Sequence, residues 1–302
     1  MGKHHAVPAQ ERQSKIMVYK NIVLTDPENE DYFYDEAIKT LRTNIQFSGK
    51  NYKTILLTSS YSSEGKSDVG FHLATAMGKA GKRVLVIDAD IRKSVYKTRY
   101  GIAEETKGLS QLLSGQVTSL SEVFYKTNYE NVYLVLAGPY VPNPSEMLGD
   151  AQFGQLIKAT RQVFDFVIID TPPLGSVVDA AVVAQYCDGA VLVIESGAAS
   201  YRVCQKVKGQ LEKSGCKILG VVLNKMDTRA NGYYGGKYGK YGKYGKYGKY
   251  GGYGKYEMYD AVGREMAEEK EKPMELQMEE FLMSEMSKEI QEIKENNEAP
   301  PK

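Results

Sequence analysis

The chain has no tryptophan, only three cysteines among its 302 residues, and no apolar run that approaches the length of about 18 residues that a membrane-spanning helix needs. Its first residues, MGKHHAVPAQERQSK, lack the apolar stretch of a signal peptide. Cys187, Cys204 and Cys216 have neither CxxC nor Cys/His spacing, so neither a disulfide framework nor a zinc site is indicated. We therefore expect a cytosolic protein with reduced thiols.

Charge and tyrosine are concentrated at one end of a chain whose net charge is only +1. Residues 228–256 contain nine Tyr, ten Gly, seven Lys or Arg and no acid, including five successive Lys-Tyr-Gly triplets. Residues 257–302 carry 14 acids against six bases. A segment so rich in glycine and charge cannot bury a core, so we predict a solvated tail behind a near-neutral folded body.

These differences divide the chain into four predicted segments. They are an N-terminal extension (1–33), an α/β domain (34–227), a Gly/Tyr/Lys-rich tail (228–259) and an acidic amphipathic tail (260–302). In the last segment apolar residues recur at helical spacing among acids, which predicts a surface helix or one that folds on a partner. These apolar residues are Met278, Phe281, Leu282, Met286, Ile290 and Ile293.

Within the body, short runs rich in Val, Ile and Leu alternate with longer helical patterns. Such runs are typical of strands that are buried on both faces, and the intervening helices favour parallel pairing. The predicted strands are 54–60, 83–90, 132–138, 164–170, 190–196 and 218–224. We therefore predict a doubly wound α/β fold with a mostly parallel sheet, preceded by an amphipathic helix over residues 34–47.

The stretch SSYSSEGKS, from Ser59 to Ser67, follows a predicted strand and opens a predicted helix. Its GKS end fits a P-loop, in which backbone N–H groups and a helix N-terminus face a phosphate. On this interpretation Lys66 neutralises the β and γ phosphates of a nucleotide and Ser67 ligates Mg²⁺. The pattern is deviant, because Ser60 replaces the usual first glycine and Asp68 follows the magnesium ligand. The competing interpretation is an ordinary strand-to-helix turn. The candidate contacts are Ser62, Ser63, Glu64, Gly65, Lys66, Ser67 and Asp68.

Three carboxylates end two further predicted strands. Asp88 and Asp90 end one of them, and Asp170 ends the other. Ligands of open α/β sheets bind at this edge. A single aspartate at a strand end is often only a helix cap, but three beside a P-loop suggest a shared Mg²⁺ shell and a base. Since a tyrosine phenol has a pKa near 10, its attack on a γ-phosphate benefits from a carboxylate that accepts the proton. Either Asp88 or Asp90 could be the carboxylate that accepts this proton.

Four stretches together resemble the bacterial tyrosine kinases of capsule and exopolysaccharide synthesis. They are SSYSSEGKS, VLVIDADIRKS, LAGPYVPNPSEML and FDFVIIDTPPLGSVVDA, followed by a tyrosine cluster. These kinases are relatives of the MinD and ParA ATPases. The resemblance implies that ATP and Mg²⁺ are the cofactors, that Lys66 and Ser67 hold the phosphates and metal, and that Asp88 and Asp90 form the second Walker motif. It also implies that Asp88 is the base and that Asp170 belongs to the metal shell.

The family's helix before the first strand carries Glu-x-x-Arg-x-x-Arg, which docks on a neighbouring subunit and closes a ring. Here Glu36, Lys39 and Arg42 occupy these places. Lysine keeps the charge but loses the planar fork that pairs with a carboxylate, so the resemblance implies a homo-oligomeric ring whose contact is weakened. The alternative is a charged helix face that is merely solvated. In the same family the loop at Asn224 lies near the adenine.

The resemblance also makes the tail tyrosines substrates of the kinase. A glycine-rich coil of about 17 residues spans about 20 to 25 Å, which suits autophosphorylation in trans. Two other interpretations are nucleic-acid binding by charge and stacking, which we do not expect, and self-association. The candidate phosphorylation sites are Tyr233, Tyr234, Tyr238, Tyr241, Tyr244, Tyr247, Tyr250, Tyr253, Tyr256 and Tyr259.

Two alternatives concern the body as a whole. Asn224-Lys225-Met226-Asp227 fits the NKxD motif of GTPases, although ATP is preferred because of the family. The other alternative is a MinD or ParA type ATPase switch, which usually has a lysine where this chain has Tyr61 or Ser62. Kinases of the resembled family need a membrane-embedded adaptor whose cytoplasmic tail activates them. We therefore expect recruitment to the inner face of the membrane through that partner, with a role in polysaccharide synthesis and export.

Overall fold

The computed structural model describes residues 20–26 and 32–226. Strands and helices alternate through most of this range, as the sequence predicts. The strands are β1 (Lys20–Ile22), β2 (Thr54–Ser59), β3 (Val84–Asp88), β4 (Phe124–Thr127), β5 (Val132–Val135), β6 (Phe166–Asp170), β7 (Gly189–Glu195) and β8 (Lys217–Asn224). The helices are α1 (Tyr32–Phe47), α2 (Lys66–Gly78), α3 (Tyr96–Arg99), α4 (Leu109–Leu113), α5 (Pro144–Gly149), α6 (Ala151–Val163), α7 (Asp179–Ala184) and α8 (Tyr201–Lys213), with a 3₁₀ turn at Leu120–Glu122.

The strands form one eight-stranded sheet in the order β1-β4-β5-β3-β6-β2-β7-β8. All neighbouring strands pair in parallel except β4 and β5, which are antiparallel. This confirms the predicted α/β fold with a mostly parallel sheet. The order places β3, β6 and β2 side by side, so the three segments that carry the candidate site end at adjacent positions on one edge.

Both faces of the central strands of the sheet are buried. On β2 the side chain of Leu56 contributes to one apolar cluster, whereas Ile55 and Leu57 contribute to the other. The period of two in a strand directs successive side chains to opposite faces, which is why continuous apolar runs are needed here. Helices α4 to α8 supply the first cluster, and α1 and α2 supply the second. This is the doubly wound arrangement.

Two strands were not predicted from the sequence. β1 lies inside the segment 1–33 that was expected to be an extension, and it pairs with β4 by matching Lys20 to Tyr125. β4 in turn pairs with β5. Part of the extension therefore belongs to the sheet. Helix α1 begins at Tyr32, close to the expected start, and buries Ile38 and Ile45 against the second cluster.

Within the described residues, no helix combines the length and the apolar character that crossing a bilayer would require.

Candidate nucleotide-binding site

Residues 60–65 form a loop between β2 and α2 whose backbone shape suits an anion. Ser63 and Gly65 both have positive φ angles, 65° and 87°, in the left-handed region. A Cβ added to Gly65 would lie 2.2 Å from Nδ2 of Asn224, so only glycine fits this position. The first backbone N–H of α2 to bond within the helix is that of Val69, which donates to Gly65 O at 2.9 Å. The N–H groups of the three preceding helix residues have no partner within the helix, so they are available to an anion.

Lys66 and Ser67 begin α2 directly behind this loop. The ammonium of Lys66 lies 3.8 Å from the carboxylate of Asp90, too far for a strong hydrogen bond. Asp90 is also held by the backbone N–H of Lys93, which donates to its Oδ1 at 2.9 Å. Attraction to the charge of Asp90 therefore holds the Lys66 ammonium at the sheet edge. Because no strong hydrogen bond fixes it there, the ammonium can turn toward a phosphate.

Asp88 and Asp170 are direct neighbours because β3 and β6 pair with these two residues opposite each other. Both are buried. Asp88 accepts hydrogen bonds from the Ser94 hydroxyl and, at 3.1 Å, from the Asp90 backbone N–H. The oxygens of Asp170 have no hydrogen-bond partner of good geometry among the described residues. Two buried carboxylates at adjacent strand ends form an electrostatically unfavourable pair that a cation would relieve.

This burial changes the acidity of both groups. Loss of solvation, and next the negative charge of Asp170, raises the pKa of Asp88 well above the usual carboxyl range. Burial also raises the pKa of Asp170, although the nearby ammonium of Lys66 and, next, the Ser67 hydroxyl oppose the rise. Both side chains are thus stronger bases than an exposed aspartate.

The residues present fit a magnesium ion that is shared with a nucleotide. In the part of the chain that the structure describes, no group of three or more His, Cys, Asp or Glu side chains is arranged so that it could hold a metal ion by itself. Mg²⁺, however, is usually bound by one or two carboxylates together with substrate phosphates and water. The oxygens of Asp170 make no hydrogen bond of good geometry within the described residues, but they lie opposite Asp88 and close to the Ser67 hydroxyl, and these groups together meet that requirement.

Three of the candidate nucleotide contacts use their side chains elsewhere. The carboxylate of Glu64 is 1% exposed and accepts hydrogen bonds from backbone amides. Asp68 turns to Arg99 and to the Tyr34 hydroxyl, which donates at 3.1 Å. Asn224 donates through Nδ2 to the Glu64 carbonyl at 2.9 Å. Their side chains are thus occupied within the protein, whereas Ser62 and Ser63 lie exposed on the loop.

Asp179, which the sequence left without a role, anchors a polar cluster beside the site. Its fully buried carboxylate accepts from Nε of Arg92 at 2.6 Å, from Nη2 of Arg92 at 2.9 Å and from the Ser145 hydroxyl at 2.6 Å. This bidentate pair ties the segment after β3 to α5 and α7.

Replacing Asp179 with asparagine should lower the free energy of unfolding by about 1–3 kcal/mol, because the Arg92 guanidinium loses its charged acceptor. Urea unfolding followed by circular dichroism would measure this. The matched control is Glu146→Gln, an exposed residue on α5, for which we expect a change within about 0.5 kcal/mol. Equal effects of the two substitutions would contradict the anchoring role.

The helix that carries the expected ring motif is α1. Glu36 and Lys39 form an exposed ion pair with 2.7 Å between the carboxylate and the ammonium. Arg42 instead donates through Nη1 to the Ala76 carbonyl at 2.9 Å, within its own domain. Glu36 and Lys39 are thus accessible to a neighbouring subunit, whereas Arg42 also fastens α1 to α2. The expected tail phosphorylation sites, Tyr233 to Tyr259, and the acidic segment 260–302 lie outside the described residues.

Comparisons with known proteins give relatives in sequence and in fold. A family model described as an AAA domain matches residues 52–222. Tyrosine-protein kinase CpsD of Streptococcus agalactiae is 42% identical over 193 residues, which are 64% of this chain and 84% of that protein. The kinase domain of Escherichia coli tyrosine kinase ETK is similar with a TM-score of 0.62 and 30% identity, covering 69% of this chain and 80% of that one.

A more distant similarity is to the septum site-determining protein MinD of Pyrococcus horikoshii, complexed with Mg-ADP. Its TM-score is 0.51 at 26% identity, and the match covers 58% of this chain and 71% of that one. The fold and the loop after β2 thus define a P-loop nucleotide-binding protein of the α/β class. Within that class, the chain belongs to the family of bacterial tyrosine-protein kinases.

Proposed function

We propose that the chain binds ATP and Mg²⁺ at the loop after β2 and transfers the γ-phosphoryl group to tyrosines of its own tail. The observation that carries this proposal is that Lys66, at the start of α2, lies close to Asp88 and Asp170, which end the adjacent strands β3 and β6. Lys66 supplies a cation for the phosphate charge, and Asp88 with Asp170 supplies a buried carboxylate pair for a metal. Asp88 also supplies a base whose pKa is raised.

In the proposed reaction each residue has a separate task. The ammonium of Lys66 leaves Asp90 and neutralises the transferring phosphate. The tyrosine oxygen forms the new bond to phosphorus as the bond to the ADP oxygen breaks, and the phenolic proton passes to Asp88. A carboxylate with a raised pKa accepts that proton more readily than an ordinary one. Bound Mg²⁺, held by Ser67 and Asp170, would neutralise charge on the β and γ phosphate oxygens.

The second candidate is an ATPase switch like MinD, favoured by the similarity to the Mg-ADP complex of that protein. Two features of the sequence favour the kinase. Tyr61 and Ser62 stand where such switches usually carry a lysine, and ten tyrosines follow the domain between residues 233 and 259. A nucleotide switch alone leaves this cluster without a role. ATP is preferred over GTP because of family membership, since the one hydrogen bond that the Asn224 amide donates to the loop leaves its other N–H and its oxygen available. Displacement of a labelled ATP analogue by GTP and not by ATP would reverse this.

The test is phosphotyrosine formation with ATP, Mg²⁺ and the adaptor's cytoplasmic peptide in every sample, comparing the full chain with one stopped after Asp227. We expect label on the full chain and none on the shortened one, because the acceptor cluster is absent. A full-length Lys66→Met chain supplies the test of transfer in trans. It should gain label when it is mixed with the shortened active chain, although neither is labelled alone. Label on the shortened chain, or none on the mixture, would contradict transfer to the tail in trans.

We further propose a homo-oligomer that assembles through Glu36 and Lys39, and activation by a membrane-embedded adaptor with a cytoplasmic tail. The exposure of this ion pair on α1 supports the first part. Family membership supports the second, and it also suggests a role in polysaccharide synthesis and export at the inner face of the membrane. Sedimentation of Glu36→Ala against the unchanged chain tests assembly. The kinase rate with and without the adaptor's cytoplasmic peptide tests activation.

A further inference from the structure

Glu64 is an unusual member of a phosphate-binding loop because its charge is buried within the loop itself. Its side chain is 1% exposed, yet it contacts no cation among the described residues. Oε2 accepts from the Tyr61 backbone N–H at 2.7 Å, and Oε1 accepts from the Glu195 backbone N–H at 3.2 Å. A buried carboxylate is costly unless its oxygens are hydrogen-bonded, and here each oxygen has one backbone donor.

The two donors lie in different parts of the fold. Tyr61 belongs to the loop, so its bond to Glu64 closes the loop on itself over three residues. Glu195 is the last residue of β7, 131 positions further along the chain, so the second bond fastens the loop to the sheet. One side chain therefore fixes both the curvature of the loop and its position.

A second connection holds the same part of the loop from β8. The Asn224 amide donates to the Glu64 carbonyl at 2.9 Å. The ammonium of Lys225 donates to the Ser63 carbonyl at 2.6 Å and lies 2.9 Å from the Glu195 carboxylate. Ser63 has a positive φ, a backbone conformation that costs energy for a residue other than glycine. These contacts hold the loop in that conformation.

We propose that Glu64 is a positioning residue that shapes the phosphate-binding loop before the nucleotide arrives. Its role is to orient the free amides of the loop and of the first turn of α2 through Tyr61 and Glu195, with Asn224 and Lys225 as supports. The inference rests on the proposed nucleotide site. Preorganised donors bind an anion more tightly because no ordering cost remains at binding. The charge of the carboxylate matters, since only it offers an acceptor oxygen to each of the two N–H groups.

The test compares Glu64→Gln, which keeps the shape but has one acceptor oxygen, with Glu64→Ala, which has none. We expect the Kd for Mg-ADP, measured by calorimetry, to rise about tenfold in the first variant and further in the second. The KM for ATP should rise more than kcat falls. The stability control is Thr160→Val, a buried residue on α6 whose hydroxyl bonds to the Ile157 carbonyl. It should lower the Tm while leaving the Kd unchanged.

Hydrogen exchange of the nucleotide-free protein gives a readout that does not depend on nucleotide binding. The amides of Tyr61 and Glu195 should lose protection in Glu64→Gln and keep it in Thr160→Val. If Glu64→Gln lowers the Tm but leaves both amides protected and the Kd unchanged, Glu64 is only structural and the proposal fails. An unchanged chain that binds no Mg-ADP, while the exchange result is as expected, overturns the nucleotide site and leaves Glu64 as an organiser of the loop.

Discussion

Lys66→Met should reduce phosphotyrosine formation by about 10²–10³-fold or more, the scale of losing one charged stabiliser of a transition state. Lys66 begins α2, directly behind the loop; its side chain is 12% exposed, and its ammonium lies 3.8 Å from the carboxylate of Asp90. Methionine keeps most of the length and apolar stem but carries no charge. We therefore expect the loss to be one of catalysis with little change in folding. Single-turnover phosphorylation of the tail at saturating ATP would measure it.

The matched control is Lys79→Met at the opposite end of the same helix. Lys79 is exposed and caps the carboxyl end of α2, far from the loop. The Lys79→Met substitution removes the same charge from the same helix. It therefore measures any general effect of net charge on nucleotide attraction. We expect its rate to stay within about twofold of the unchanged chain, since exposed charges are screened at physiological salt. Similar losses in both variants would contradict a specific role for Lys66.

The central part of the sheet could be predicted from the sequence because its strands are continuous apolar runs, such as Ile55 to Leu57. β1 and β4 escaped prediction for a physical reason. β1 has three residues, Lys20–Ile22, and β4 has four with an exposed Lys126. Neither is long or apolar enough to signal a buried strand, and each exists because it pairs with its neighbours. Such pairing is a tertiary effect that local patterns do not contain.

The candidate site shows the same limit. Sequence spacing placed Lys66, Asp88 and Asp170 together because parallel strands end at one edge, and the structure brings these three together as expected. The spacing could not show that the side chain of Glu64 is buried against the backbone of the loop, or that the side chain of Asp68 turns to Arg99. Their partners, such as Glu195, lie far along the chain, and a motif counts neighbours in sequence only. For the same reason the role of Asp179 could not be predicted from the sequence, because its partner Arg92 is a neighbour only in the folded chain.

The buried carboxylate pair makes the site a place where activity and stability oppose each other. Asp88→Asn should lower the phosphorylation rate by about 10²–10⁴-fold, the usual contribution of a general base. It should also stabilise the nucleotide-free chain by about 0.5–2 kcal/mol near neutral pH, because one buried charge beside Asp170 is removed. Asparagine keeps one oxygen to accept from Ser94 or from the Asp90 amide, so shape and most hydrogen bonding survive.

The sign of the pH dependence follows from the raised pKa of Asp88, caused first by burial and then by Asp170. The pKa of this carboxyl is higher in the folded chain than in the unfolded chain, where it is near 4. Its contribution to stability is therefore fully present below the unfolded-state pKa and is lost as the pH rises through the folded-state pKa. The unchanged chain should lose stability over that interval more than Asp88→Asn does. The difference between the two chains in the free energy of unfolding should be largest above this pH interval and should vanish in acid. Urea unfolding as a function of pH would measure this.

Mg-ADP should reverse the order of stability. A cation beside Asp88 and Asp170 replaces their repulsion with attraction, so saturating Mg-ADP should raise the Tm of the unchanged chain more than that of Asp88→Asn. ADP with EDTA should remove this advantage, because only the metal distinguishes the two carboxylate states. If Asp88→Asn were less stable than the unchanged chain at every pH, the carboxylate would be a structural acceptor for Ser94 rather than a strained group held ready for a metal and a proton.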